Sequence, residues 1–191
     1  MNAINHWFVR WQVRGLLVLG RREAALEQLD LMLLADPSDV YALATRAHVL
    51  AEQGNKPGAL QALQRLVELQ PDRSAHWFNL GFLSEEMGQL EAAEAAFRRA
   101  TEIDPKLDRA WYGLALSLIR QRRFDEAVTA LRKNTELQPM SPYGWYQLAR
   151  VHVDRQEPDE AAKIIRHLRK FEPKVAAQLE RETGLGQQAQ A

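Results

Sequence analysis

The sequence predicts an all-α solenoid of stacked two-helix units. Three observations carry that prediction. Prolines recur at a constant spacing of 34 residues: Pro37, Pro71, Pro105, Pro139 and Pro173. Twelve residues before each stands an alanine (Ala25, Ala59, Ala93, Ala127, Ala161), and eight before each a large apolar residue (Leu29, Leu63, Phe97, Leu131, Ile165). Each period holds two apolar patterns of helical spacing with a break between them. Such a hairpin cannot bury both of its apolar faces alone, so neighbours must stack.

The units follow in order. The first, 6–39, departs most at its early positions, where it carries Val9 and Gln12. The second, 40–73, has Leu43 and Arg46 there and a small Ala47 at the centre of its first helix. The third, 74–107, is the clearest: Trp77, Leu80, Gly81 and Ser84 fall on one helical face. Gly88 then stops that helix as a C-terminal glycine does. Ala93, Phe97 and Ala100 form the second helix, and Pro105 bars its continuation. The fourth unit, 108–141, opens with Trp111 and centres on Ala115; the fifth, 142–175, has Trp145 and Ala149. The small residues let paired helices approach closely. Trp77, Trp111 and Trp145 are read as packing residues, each costing about 3–5 kcal/mol when cut to Ala. A short capping helix is expected at about 174–183, closing a single domain over 1–183, with 184–191 as a flexible tail.

Composition narrows the function. Over 191 residues, 25 Lys+Arg balance 25 Asp+Glu. That zero net charge argues against nucleic acid, whose affinity for proteins rests on clustered cations. With 46% hydrophobic residues the chain can bury a core. The absence of Cys excludes disulfides and thiolate chemistry. The apolar stretch from Ile4 to Leu19 is interrupted by Arg10 and Arg14 and is short for a bilayer span, so no integral membrane segment is expected. The default location is cytoplasmic. His6, His48, His76, His152 and His167 are scattered without metal-ligand pairing, and no Gly-rich phosphate loop is present. His152 is expected to be a half-buried structural residue. Neither catalysis, nor a cofactor, nor a metal is expected.

The pattern resembles the tetratricopeptide repeat, with Trp at repeat position 4, Leu at 7, Gly or Ala at 8, Ala at 20, Phe or Leu at 24 and Pro at 32. Residues 74–107 match almost fully, through Trp77, Leu80, Gly81, Ala93, Phe97, Ala100 and Pro105. The resemblance covers 6–175 and implies a right-handed superhelix whose concave groove holds a protein or peptide partner. It also implies that repeat positions 2, 5, 6 and 9 face the groove. Those positions hold Trp7, Arg10, Trp11 and Arg14 in the first repeat, and Tyr41, Ala44, Thr45 and His48 in the second. The third contributes Ala75, Phe78, Asn79 and Phe82, and the fourth Arg109, Tyr112, Gly113 and Leu116. The fifth contributes Tyr143, Tyr146, Gln147 and Arg150. Aromatic and Arg side chains are enriched at interaction hot spots, which favours a protein partner.

A carboxylate clamp for heat-shock chaperones, known in some relatives, is disfavoured. Its five positions read Ala44, His48, Asn79, Arg109 and Gly113 here, and only Asn79 and Arg109 fit. The expected function is a non-catalytic adaptor or scaffold. Two other readings rest on the first helix, where Trp7 and Trp11 lie one turn apart beside Arg10 and Arg14. One is a homo-oligomer assembled through that helix; the other is a membrane-peripheral assembly factor.

Overall fold

The computed structural model describes residues 3–185, with side chains from Trp7 onward. The expected tail thus lies mostly outside the described residues. Helices pair as α1 (Ala3–Val18) with α2 (Arg22–Ala35), and α3 (Val40–Glu52) with α4 (Lys56–Leu69). Next come α5 (Ser74–Glu86) with α6 (Leu90–Ile103), and α7 (Asp108–Arg120) with α8 (Phe124–Leu137). α9 (Pro142–Asp154) and α10 (Pro158–Arg169) form the fifth hairpin, and α11 (Pro173–Thr183) packs on both of them. Each helix packs on the next along the chain, and α5 also meets α7. Among the described residues there is no strand.

Every hairpin turns in the same way. Gly20, Gly54 and Gly88 adopt φ of 71°, 78° and 75° at equivalent positions, where the backbone is left-handed. Arg122 and Gln156 occupy the same place in the fourth and fifth hairpins, at φ 60° and 62°, without a glycine's freedom. The next residue's amide closes the last turn in each: Asn55 N–H donates to the Leu50 carbonyl at 2.8 Å, and Arg123 N–H to that of Leu118 at 2.9 Å. Helix starts are fixed by side chains or prolines. Asp39 accepts from the Ala42 amide at 3.1 Å and Asn55 from Gly58 at 3.1 Å, while Pro142, Pro158 and Pro173 open α9, α10 and α11.

The core follows the alanine register. Ala25, Ala59, Ala93, Ala127 and Ala161 are wholly buried, and so are Ala47, Gly81, Ala115 and Ala149 at the facing helix centres. Two expectations are corrected. Trp77, Trp111 and Trp145 are half-buried rather than core residues. Their indole N–H groups reach out to the carbonyls of Pro71, Pro105 and Pro139 at 2.8, 2.9 and 2.9 Å. Each indole therefore latches a helix to the proline turn before it, and that polar end keeps the ring partly at the surface. His152 is fully buried rather than half-buried, because its Nδ1 pairs with Glu157 Oε2 at 2.7 Å across the α9–α10 turn.

Candidate functional site

The largest side-chain anomaly among the repeats is Phe97, which stands where the other hairpins carry Leu or Ile. Its ring is 1% exposed and lies against two glycines, Gly81 on α5 and Gly113 on α7. A Cβ at either would come within 2.8 and 2.6 Å of the ring, so both positions must lack a side chain. The bare backbone at Gly113 opens a cavity of about 500 Å³ above Phe97. Its walls are Phe78 and Phe82 from α5, Arg109, Tyr112 and Leu116 from α7, and Tyr143 from α9.

Aromatic rings dominate the walls. Phe78 and Phe82 stack with centroids 6.5 Å apart and planes 28° apart, and Phe78 meets Phe97 at 5.9 Å. The Arg109 guanidinium lies over the Phe78 ring at 5.0 Å. Among the described residues Arg109 has no carboxylate partner, so its donors face the groove unspent. Glu85, also in the wall, is already neutralised by Arg120 at 2.8 Å, a bridge from α5 to α7. Burial pushes the Tyr112 hydroxyl above the ordinary phenol range, against a hydrogen bond from Gln147 that pulls it down. Tyr112 therefore stays neutral and able to donate. Among the described residues, the cavity is an apolar slot edged by the Arg109 guanidinium, the Asp108 carboxylate and the Tyr112 hydroxyl.

The sequence-predicted residues separate into three groups. Phe78, Phe82, Arg109, Tyr112 and Tyr143 converge on this cavity, and Gln147 sits beside Tyr112. Asn79 is exposed and does not line it. Tyr146 and Arg150 turn to the chain's own cap. Tyr146 Oη donates to Glu182 Oε2 at 2.6 Å, and Arg150 lies 3.8 Å from the same oxygen. These hydrogen bonds, first from Tyr146 and then from Gln178, hold the Glu182 carboxyl below its usual range.

The third group lies at the other end. Arg10 covers the Tyr41 ring at 4.9 Å and pairs with buried Asp39 at 3.3 Å, and Tyr41 donates to the Arg10 carbonyl at 3.3 Å. Arg14 lies 5.9 Å from the same ring. Trp7 and Trp11 are exposed, with ring centroids 5.7 Å apart, and exposed His48 faces Glu52 at 3.3 Å.

Helical position alone did not flag Asn134 of α8, Gln138 just beyond it, Asp108 or Glu85 as part of the cavity wall. Asn134 is buried and donates to the Asp108 carbonyl at 2.9 Å, tying α8 to the start of α7. The unusual Gly113 beside a lone Phe97 was the available signal. Among the described residues no three His, Asp or Glu side chains are arranged to hold a metal ion. None of the described helices is long and apolar enough to cross a membrane.

Comparison with known proteins places this geometry. The tetratricopeptide repeat model matches residues 12–74, 44–108, 79–142 and 112–176. No curated protein matches the sequence. Among solved structures, a crystal structure of MamA is 22% identical, with a TM-score of 0.77 over 90% of this chain and 96% of that one. A MamA chain from Desulfovibrio magneticus RS-1 (41 to its end) is 21% identical, with a TM-score of 0.76 over 92% and 94%. YrrB, described as a TPR protein with an unusual peptide-binding site, is 18% identical, with a TM-score of 0.79 over 88% of each chain. These likenesses extend the fold over nearly the whole length, and the repeat match spans most of it. The chain belongs to the tetratricopeptide repeat family.

Proposed function

We propose that the chain is a non-catalytic adaptor of the cytoplasm that holds an extended segment of a partner protein in the α5–α7–α9 groove. The observation that carries the reading is the Phe78, Phe82, Tyr112 and Tyr143 slot with the unpaired Arg109 at its edge. A cavity of about 500 Å³ suits one or two large side chains rather than a folded surface. Arg109 then receives a carboxylate close to them, because its fork donates two parallel hydrogen bonds. The peptide-binding site named for YrrB supports a ligand of this class on this fold.

The test is selection from a displayed peptide library with the intact chain. Enriched peptides are expected to carry an aromatic or long aliphatic residue within a few positions of an acidic one. Arg109→Glu with Phe82→Ala, both at exposed side chains, should lose those peptides while keeping its helicity and melting temperature. Equal capture by that folded variant would refute the groove.

A further inference from the structure

The first hairpin breaks a surface rule that the next three keep. On α4, α6 and α8, equivalent places carry exposed ion pairs: Arg65–Glu68 at 2.7 Å, Arg99–Glu102 at 3.1 Å and Lys133–Glu136 at 3.0 Å. The same two places on α2 hold Leu31 and Leu34, 58% and 82% exposed. At the turn, where later hairpins show Glu52, Glu86, Arg120 or Asp154, the first shows Val18, followed by Leu19. Position 3 of the later hairpins is small and buried in Ala42, Ala110 and Gly144. In the first hairpin it is exposed Phe8.

Of these apolar side chains, those on α1 share a face, while Leu34 turns to a depression shared with Leu43 and Arg65. At about 100° per residue, Trp7, Trp11 and Val18 fall within an arc of roughly 40° on α1, with Phe8 to one side and Arg14 to the other. Val13, on the opposite side of α1, is wholly buried. On the Phe8 side the surface runs onto α2, because Gln12, Gly15 and Leu19 share a shallow depression with Gln28, one turn from Leu31.

Charge marks the same region. Residues 1–22 contain Arg10, Arg14, Arg21 and Arg22 and no Asp or Glu, in a chain whose net charge is zero. Arg10 and Arg22 are answered by Asp39 and Glu52. Among the described residues, Arg14 and Arg21 pair with no carboxylate.

We infer that the exposed face of α1, with the turn that follows it, docks on an anionic lipid surface. Exposed Trp and Phe belong at the boundary between headgroups and acyl chains, and Leu and Val reach below it. Arg14, beside that stripe, meets the lipid phosphates, and Arg21 at the turn adds to the attraction. A two-fold pairing of α1 with a second copy complements the apolar stripe but sets the same acid-free, Arg-bearing helix against itself. An anionic bilayer complements both the stripe and the charge. This inference is independent of the peptide groove, which lies on α5, α7 and α9.

The experiment is co-sedimentation of the full chain with vesicles of phosphatidylcholine alone or with about 30 mol% phosphatidylglycerol. Binding to the anionic vesicles is expected to be about tenfold tighter or more, from two unpaired Arg. It should weaken at about 0.5 M salt. Trp7→Glu with Trp11→Glu, at side chains that support no core, should lose at least about tenfold. Arg109→Glu with Phe82→Ala should sediment like the wild type, which separates this result from the groove. Failure to bind, equal binding to both vesicles, or binding unchanged in the Trp7/Trp11 variant would each overturn the inference. So would a dimer in light scattering that this variant dissociates while no vesicle binds, since the face would then belong to a second copy.

Discussion

Replacing Gly113 by Ala tests whether the packing that shapes the groove is as tight as its geometry. A Cβ at this position lies 2.6 Å from Cε1 and Cζ of Phe97 and 2.9 Å from Cε2. The ring has no free direction of retreat, because it is 1% exposed and Gly81 presses it from α5, where a Cβ would stand 2.8 Å away. Overpacking of this kind costs about 1–3 kcal/mol. Against it stands the gain of about 0.5–1 kcal/mol from removing a helix-interior glycine. Sterics win by up to about 2.5 kcal/mol, and a chain of this length loses roughly 2–4 °C of melting temperature per kcal/mol.

Gly15 supplies the control. It also sits within a helix, but a Cβ there meets nothing within 4 Å, so Gly15→Ala keeps only the gain and raises stability by about 0.5–1 kcal/mol. Thermal and urea melts of the two variants should therefore shift in opposite directions. Phe97→Leu restores the residue type of the neighbouring hairpins. Made on that background, Gly113→Ala should cost less than about 0.5 kcal/mol, and the double-mutant cycle should show coupling. If Gly113→Ala stabilises the wild type as Gly15→Ala does, the ring moves freely and the account of the cavity fails.

Other consequences are as direct. Arg122→Gly and Gln156→Gly relieve left-handed backbone at non-glycine residues, so each should raise the unfolding free energy from urea melts by up to about 1 kcal/mol; a decrease in both would contradict the shared-turn reading. Trp111→Phe removes the 2.9 Å hydrogen bond to the Pro105 carbonyl and should cost about 1 kcal/mol in the same melt, far less than loss of a core ring. Burial pushes the Glu94 carboxyl up, but hydrogen bonds from Arg98, Gln121 and Arg123 outweigh it and hold the group below its usual 4.5. A depressed folded value means stability that is present above the unfolded pKa and lost as pH falls through the folded one. Urea midpoints should therefore drop on acidification below about pH 4.5, and Glu94→Gln should flatten that drop; an unchanged slope would show that the network carries no linkage.

The repeat was legible because a solenoid writes its packing into the chain once per unit. The alanines that let each second helix approach its first recur with the same period as the prolines, twelve residues before each, and all five are wholly buried. What each surface meets was less legible. Tyr146 and Arg150 share the helical register of the groove residues, yet Glu182 of α11 reaches them. That contact depends on how the cap folds back, which no periodicity reports. The Trp positions were visible, but a hydrogen bond to a carbonyl six residues earlier depends on turn geometry, and so their burial was overestimated. The left-handed turns at Arg122 and Gln156 carry no glycine to announce them. Only their equivalence to Gly20, Gly54 and Gly88 reveals the conformation.

The groove and the core are consequences of one local exchange. In a uniform stack, position 6 of each first helix carries a side chain: Trp11, Thr45, Asn79 and Gln147 in the other four hairpins. A larger residue at position 24, Phe97, takes up the space beneath the fourth hairpin and forces position 6 there to be Gly113. With no side chain above the ring, a void opens between Phe78, Phe82, Tyr112 and Tyr143, and Arg109 borders it. The cavity is thus placed by packing between the third and fourth hairpins and not by the superhelix as a whole. Enlarging residue 113 must then fill the cavity and strain the core together. Phe97→Leu with Gly113→Ala separates them, since it relieves the strain while the added methyl group still occupies the slot. That variant should melt near the wild type and bind groove peptides less well, which distinguishes a binding surface from a packing defect.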